Sequence, residues 1–242
     1  RLPKDFSYLQ GKILSSRVYP EFFSIKQDER VLNAGFGDGP QVIVYAGSFR
    51  SMVGIDVYAE RLTRARRLMD VMNIRNVELF EGSVEQIPHA DASFDVILAI
   101  DIIEHVEHPE RFLAEMRRLI RPGGRMLITF PAMHDHFTDA VSAIGRLLGR
   151  KGHAQPTGWH PDHHQRELPI PVWIDMVQKA GFLLERTRAT TMFPPLHLYG
   201  MPRFWFSNRF IHAVDRRVAA LPGIQRLGQT VMAEFVPKER TL

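Results

Sequence analysis

The stretch VLNAGFGDG, residues 31–39, sets an apolar run against glycine at every second position from Gly35 to Gly39. A strand that gives way to closely spaced glycines and then to a helix lets a ligand touch the main chain, because a Cβ at those positions would block it. Gly35, Gly37 and Gly39 meet that demand, and a helix expected over about residues 40–46 would add N–H groups and a positive dipole end at the strand tips. The spacing is GxGxG, not GxGxxG, and it suits a tight strand-to-helix turn with no ligand equally well.

On either side of this stretch, short apolar runs alternate with helical patterns. Strands are expected at residues 31–34, 52–56, 77–80, 94–100 and 125–130, each bounded by Gly, Asp or Pro. Between them, YAERLTRARRLMDVM places Leu62, Ala65, Leu68, Met69 and Met72 at helical spacing, and HPERFLAEMRRLI repeats the pattern with Phe112, Leu113, Met116 and Ile120. Parallel strands need crossovers of about a dozen residues, so this βαβαβ order predicts an α/β, doubly wound sheet with helices on both faces. Residues 121–124, RPGG, read as the break before a strand restarts. PIPVWIDMVQKAGF predicts a helix entered through Pro171 and stopped at Gly181, then a strand over residues 182–190. QTVMAEFVP is expected as the last strand, after a Pro- and aromatic-rich insertion over residues 192–228.

The totals fit one core. The chain has 242 residues, 45% hydrophobic and 24% charged, which suits a single folded α/β domain with embellishments. We divide it into an N-terminal helical segment, residues 1–29, as cap or substrate side, and a catalytic domain, residues 30–242, with 132–170 and 192–228 as substrate-side insertions. Lys plus Arg number 31 against 27 Asp plus Glu, a net +4 that does not by itself imply nucleic acid. The absence of cysteine excludes disulfides, thiolate metal sites and cysteine nucleophiles. No run approaches the ~18–20 apolar residues of a membrane span, and RLPKDFSYLQ lacks a signal-peptide core, so a cytoplasmic protein is expected.

Asp56 closes the second strand in MVGID, where a carboxylate can accept both hydroxyls of a ribose or cap the helix that begins near Tyr58. With this residue the order of motifs resembles the class I S-adenosylmethionine-dependent methyltransferases, particularly the small-molecule enzymes related to quinone and sugar methyltransferases. VLNAGFGDG looks like the first motif of that family and GIDVY like its second. FEGSVEQIPHADASFDVILAIDIIEHVEHPERFLAEMRRLIRPGGRMLITFP is similar, without a gap, to its adenine loop, fourth strand, following helix and fifth strand. The resemblance implies a Rossmann-like, mostly parallel seven-stranded sheet, S-adenosyl-L-methionine as cofactor and S-adenosyl-L-homocysteine as product. It implies that Gly35 and Gly37 approach the methionine part and that Asp56, with Val57 beside it, takes the ribose. Ser83 and Val84 occupy adenine-loop positions, and Ala99, Ile100 and Asp101 lie near the sulfonium. Asn33 stands where the family usually has an acid, and Ser83 where an aspartate commonly receives the adenine amino group; both can still accept hydrogen bonds, without the charge.

The sulfonium carries its own activated methyl, so the protein has to align an acceptor and, for a hydroxyl, remove a proton. Histidine suits that task, with an ordinary pKa of about 6.5. The chain has 11 histidines, concentrated in PAMHDHF and GWHPDHHQRELP. An HxR pattern often precedes the helix before the sixth strand in the family, and His164, Gln165 and Arg166 match it, so His164 is the first candidate base, with His134 and His136 behind it. The alternative is that these histidines are only solvated loop residues. IEHVEHP and HPDHH offer possible metal ligands, but neighbouring residues rarely converge on one ion without partners elsewhere, and no metal is expected.

Acceptor choice is expected in the insertions. MFPPLHLYGMPRFWFSNRFIHAVDRRVAALPG joins Phe204, Trp205, Phe206 and Phe210 to Arg203, Arg209, Arg216 and Arg217. Such a mixture can line an apolar acceptor pocket, pack as core, or touch an anionic membrane peripherally through residues 192–220. Nucleic acid is not expected: IDII stands where base-nitrogen methylases typically carry an NPPY-like tetrad, and carbon-5 cytosine chemistry needs a cysteine. The expected function is methyl transfer to a small-molecule hydroxyl of a sugar, glycan or phenol-like acceptor. The alternatives are a quinone or lipid C- or O-methyltransferase at a membrane surface, or a cofactor-binding protein without catalysis.

Overall fold

The computed structural model describes residues 18–131, 166, 168–190, 209–221 and 230–239. Its strands are β1 (Arg30–Ala34), β2 (Ser51–Asp56), β3 (Val77–Glu81), β4 (Phe94–Ala99), β5 (Ile120–Pro131), β6 (Phe182–Thr190) and β7 (Thr230–Pro237). Its helices are α1 (Pro40–Val44), α2 (Ala59–Val71), α3 (Pro109–Leu119), α4 (Ile170–Lys179) and α5 (Arg209–Ala219). One sheet runs β3-β2-β1-β4-β5-β7-β6, with β7 antiparallel to both neighbours and the others paired in parallel. The chain reverses direction in strand order between β1 and β4, which places the crevice of a doubly wound sheet beyond their carboxyl ends.

The helices cover both faces, as the periodicity predicts. Phe112, Leu113 and Met116 of α3 and Trp173 and Val177 of α4 pack with Leu32, Ile97 and Ile128 on one side. Leu62, Ala65 and Met69 of α2, with Val42 and Tyr45, pack with Val31, Val96 and Leu127 on the other. That second face is also covered by Tyr19, Phe22 and Phe23. Residues 18–29, expected to be helical, instead form turns; the Tyr19 carbonyl accepts the N–H groups of Phe22 and Phe23. Aromatic side chains fastened to the sheet replace helical periodicity there: Tyr45 donates its hydroxyl to the Phe23 carbonyl at 2.6 Å.

Two further boundaries differ. RPGG does not separate α3 from β5, because Ile120 already pairs with Phe94, and a register shift absorbs the next residues before Arg125 meets Val96. The insertion before β7 contains α5, an 11-residue helix. Among the described residues no helix is long and apolar enough to cross a membrane.

Candidate active site

The glycines after β1 serve different ends. Gly35 has φ +77°, and a Cβ there would lie 2.9 Å from Ile102 Cδ1, so its bareness makes room for the loop after β4. Gly37 has φ +56° and faces open space. Both conformations belong to the left-handed region that side chains disfavour. The following helix, α1, has only five residues, so the dipole expected from it is small.

Asp56 fixes this loop from below. Its carboxylate, 6% exposed, accepts the Gly37 N–H at 2.8 Å through Oδ2 and the Tyr58 N–H at 2.9 Å through Oδ1. One side chain therefore shapes the glycine turn and the entry to α2. Across the crevice, Asp101 follows β4 with φ +51°, in a conformation unusual for a residue with a side chain. Its N–H donates to Thr129 Oγ1 at 2.8 Å, and the Thr129 hydroxyl donates back to Asp101 Oδ1 at 3.0 Å.

Between these anchors lies a cleft of about 220 Å³. Of the residues expected to hold a cofactor, Gly35, Gly37, Asp56, Val57, Ser83, Val84 and Asp101 line it. Asn33, Ala99 and Ile100 do not: their side chains are buried in the sheet, Ala99 in one core and Ile100 in the other. Strand alternation explains this, because β4 is covered on both faces up to its last residue. Asn33 is 0% exposed, and among the described residues its amide nitrogen and oxygen have no hydrogen-bond partner, an arrangement that costs stability.

The cleft also contains residues the sequence reading passed over. Arg61 lies over the Tyr58 ring at 4.3 Å, a pairing that three-residue helical spacing could have signalled. Glu85, His105 and Glu107 complete the walls. His105 stood in IEHVEHP, where it was weighed only as a metal ligand. That segment disperses: Glu104 is buried, His105 faces the cleft and His108 precedes α3.

The adenine-loop segment, residues 83–91, is clamped to α3. Ile87 N–H donates to Glu115 Oε1 at 2.6 Å, and Arg118 donates to the carbonyls of Ile87 and His89 at 3.0 and 2.7 Å. Arg118 also pairs with Glu115 at 2.7 Å and Asp91 at 2.8 Å. Burial alone would raise the Glu115 carboxyl, but hydrogen bonds from Arg118 and Ile87 outweigh it and hold the group below its ordinary value. Nearer the cleft, His108 N–H donates to Glu85 Oε1 at 3.0 Å, and Glu85 N–H donates to Ser83 Oγ at 3.1 Å. His89 sits edge-on between Phe80 and Phe94, with ring centroids 5.7 and 5.3 Å away. Burial, followed by the charge of Arg30, depresses its pKa.

The three histidines expected to act as base, His164, His134 and His136, lie outside the described residues, as does HPDHH. Arg166, from the same HxR pattern, donates to the carbonyls of Val106 and Glu107 at 3.2 and 3.0 Å, against the cleft wall.

Residues 32–128 match the Methyltransferase domain family. A phosphatidylethanolamine N-methyltransferase of Cereibacter sphaeroides is 31% identical over 154 residues, spanning 62% of this chain and 72% of that protein. The chain belongs to the class I S-adenosylmethionine-dependent methyltransferases. Among other relatives of this methyltransferase, a 27-O-demethylrifamycin SV methyltransferase of Amycolatopsis mediterranei is 27% identical over 179 residues, 67% of this chain and 66% of the relative. Two further relatives are spanned over about half their length. The fold is shared with the YcgJ protein of Bacillus subtilis, at a TM-score of 0.58 and 16% identity over 96% of this chain and 99% of that one.

S-adenosyl-L-methionine is therefore the cofactor of this enzyme class, and the cleft suits it. The space beside Gly37 admits a ligand where any Cβ would intrude. Asp56, Glu85, Asp101 and Glu107 outnumber Arg61 on the walls, which complements a cation.

Proposed function

We propose that this methyltransferase acts on a hydroxyl oxygen of a small-molecule acceptor, with His164 as the proton acceptor. The reading is supported above all by Arg166. Its two hydrogen bonds fasten the chain to the Val106–Glu107 wall, and His164 stands two positions before it in the sequence. The bound cofactor supplies an electrophilic methyl on sulfur. The chain's own residues hold the glycine turn and the adenine-loop wall still, so that the acceptor oxygen meets the methyl in line. As the carbon–oxygen bond would form and the methyl carbon–sulfur bond break, releasing S-adenosyl-L-homocysteine, the hydroxyl proton would pass to the His164 imidazole. Gly35, Gly37, Asp56, Val57, Ser83, Val84 and Asp101 are the proposed cofactor residues, with His105 facing the same space.

Methyl transfer from labelled S-adenosylmethionine to a panel of sugar, phenol and amine acceptors tests this. His164→Ala is expected to slow transfer to a hydroxyl far more than it weakens cofactor binding. Unchanged turnover removes His164, and transfer confined to amines removes the hydroxyl reading.

A second reading, a lipid acceptor at a membrane surface, is favoured by Phe210 on α5, 74% exposed, and Leu221 just after it, 49% exposed, on a helix that carries Arg216 and Arg217 in its last turn. Flotation with anionic liposomes at low salt separates the two, since a protein confined to soluble acceptors stays at the bottom of the gradient.

A further inference from the structure

Arginines cap each aromatic residue of the N-terminal turn, but not in the same way. Arg125 lies 4.9 Å from the Phe23 ring and bonds both Glu29 oxygens at 2.9 and 3.0 Å. Arg186 lies 4.7 Å from the Phe22 ring and bonds Glu234 at 2.7 Å and the Phe22 carbonyl at 2.6 Å. Each of these guanidiniums is matched by a carboxylate within hydrogen-bond distance.

Tyr19 carries two. Arg188 and Arg216 lie 4.9 and 4.6 Å from its ring, and Arg188 Nη2 donates to the Arg216 carbonyl at 3.0 Å. Their shared counter-charge is Glu21, half exposed, at 3.9 and 4.0 Å, beyond hydrogen-bond reach of either. Two cations are thus held together beside the loosely placed Glu21 carboxylate, and among the described residues the buried Arg188 Nε–H has no acceptor. Holding like charges together around an unmet buried donor is unfavourable unless an anion joins them, and a guanidinium fork matches phosphate or carboxylate geometry.

The sheet register ties this pair to the cleft. Thr129, which holds Asp101, is directly opposite Met232 on β7, and Met232 is directly opposite Arg188 on β6. The three therefore share one face in one row. At strand spacings of about 4.8 Å, Arg188 stands roughly 10 Å from Thr129 along the sheet.

We propose that Arg188 and Arg216, stacked on Tyr19, form an anion site that recognises a phosphate group carried by the acceptor. The proposal rests on the acceptor reading above and narrows it to phosphorylated acceptors, whether soluble phosphoesters or lipid headgroups. Glu21 swings aside or bridges to solvent when the phosphate enters, because its half-exposed carboxylate is not locked by hydrogen bonds to either arginine.

Titration of the whole chain with sn-glycerol 3-phosphate at low salt, and sedimentation with phosphatidylcholine vesicles with and without phosphatidic acid, test the site. Saturable binding of the soluble phosphoester that weakens at least tenfold in Arg216→Gln supports it with a soluble acceptor. Binding only to phosphatidic acid vesicles, lost in the same variant, supports it with a headgroup. Absence of both, or binding unchanged in Arg216→Gln and in Arg188→Gln, overturns it. Arg216 is exposed enough on α5 for its variant to fold, which a melting curve checks. Calorimetry with S-adenosylmethionine runs alongside: if the cofactor binds and the phosphate does not, only this inference fails, whereas loss of cofactor binding in the unaltered protein strikes the functional reading itself.

Discussion

Thr129 and Asp101 exchange two hydrogen bonds across the tips of β5 and β4, at 2.8 and 3.0 Å, with Thr129 wholly buried. The pair stabilises a left-handed aspartate at the mouth of the cofactor cleft, a conformation that the chain would otherwise leave. Thr129→Val keeps the shape and removes both bonds, and is expected to cost ~1–3 kcal/mol and weaken cofactor binding. Thr129→Ser restores the hydroxyl and should recover most of the loss. Scanning calorimetry with and without S-adenosylmethionine checks both.

Gly35 and Gly37 should respond differently to alanine. At Gly35 the added methyl meets Ile102 at 2.9 Å as well as a positive φ, so Gly35→Ala lowers the melting temperature. Trimming Ile102 to Ala in the same chain removes the contacts at 2.9 and 3.0 Å but keeps its Cβ at 3.2 Å, so it recovers part of the loss while backbone strain of ~1–2 kcal/mol remains. Gly37→Ala has room in the fold, so its stability loss is smaller, but its methyl projects into ligand space and cofactor affinity falls. Equal melting temperatures for the two single variants contradict this division.

Glu115 and Arg118 clamp the loop at Ile87 and His89, and their expected effect on the cofactor runs through that loop. Glu115→Gln retains the shape while weakening the bonds that hold Ile87 and Arg118. The expected effect is a KM for S-adenosylmethionine raised roughly tenfold, from ~1–2 kcal/mol of lost loop order, with kcat at saturation within about twofold. Steady-state kinetics in cofactor concentration read this; a lower kcat at unchanged KM argues against it.

His89 predicts a pH dependence. Its folded-state pKa lies below the ordinary value of 6.5, so the unfolded chain binds the proton more readily. Stability from neutral His89 is fully present above about 6.5 and is lost as the pH falls through the folded value. Replacing His89 with Gln, which does not titrate there, should flatten this part of the melting profile between pH 7 and pH 5, a range that follows from the ordinary histidine value of about 6.5.

Much of the fold is legible in the residues because local signals agree with the global arrangement. The Asp56 reading combined ribose binding with helix capping; the carboxylate takes the Tyr58 N–H just ahead of α2, while the helix itself has no side-chain cap. Periodicity identified α2 and α3 because each buries one face. Residues 18–29 were misread because their order comes from arginines 100 or more positions distant in the chain, such as Arg125 on Phe23 and Arg186 on Phe22. Gly35 was read as bare for a ligand; it lines the cleft, and its missing Cβ also makes room for Ile102, a contact with no trace in local spacing. The Arg188–Arg216 pair is illegible for the same reason: β6 and α5 meet only in three dimensions.

The central claim is that the cleft between Gly37, Asp56 and Asp101 seats the cofactor, and calorimetric titration of Asp56→Ala with S-adenosylmethionine tests it most directly. The account predicts that the intact chain binds one equivalent and that the variant, still folded by circular dichroism, binds at least tenfold more weakly, the loss of charge-assisted bonds of ~1.5–3 kcal/mol. Undiminished affinity in a folded Asp56→Ala, or no binding by the intact chain, would contradict it.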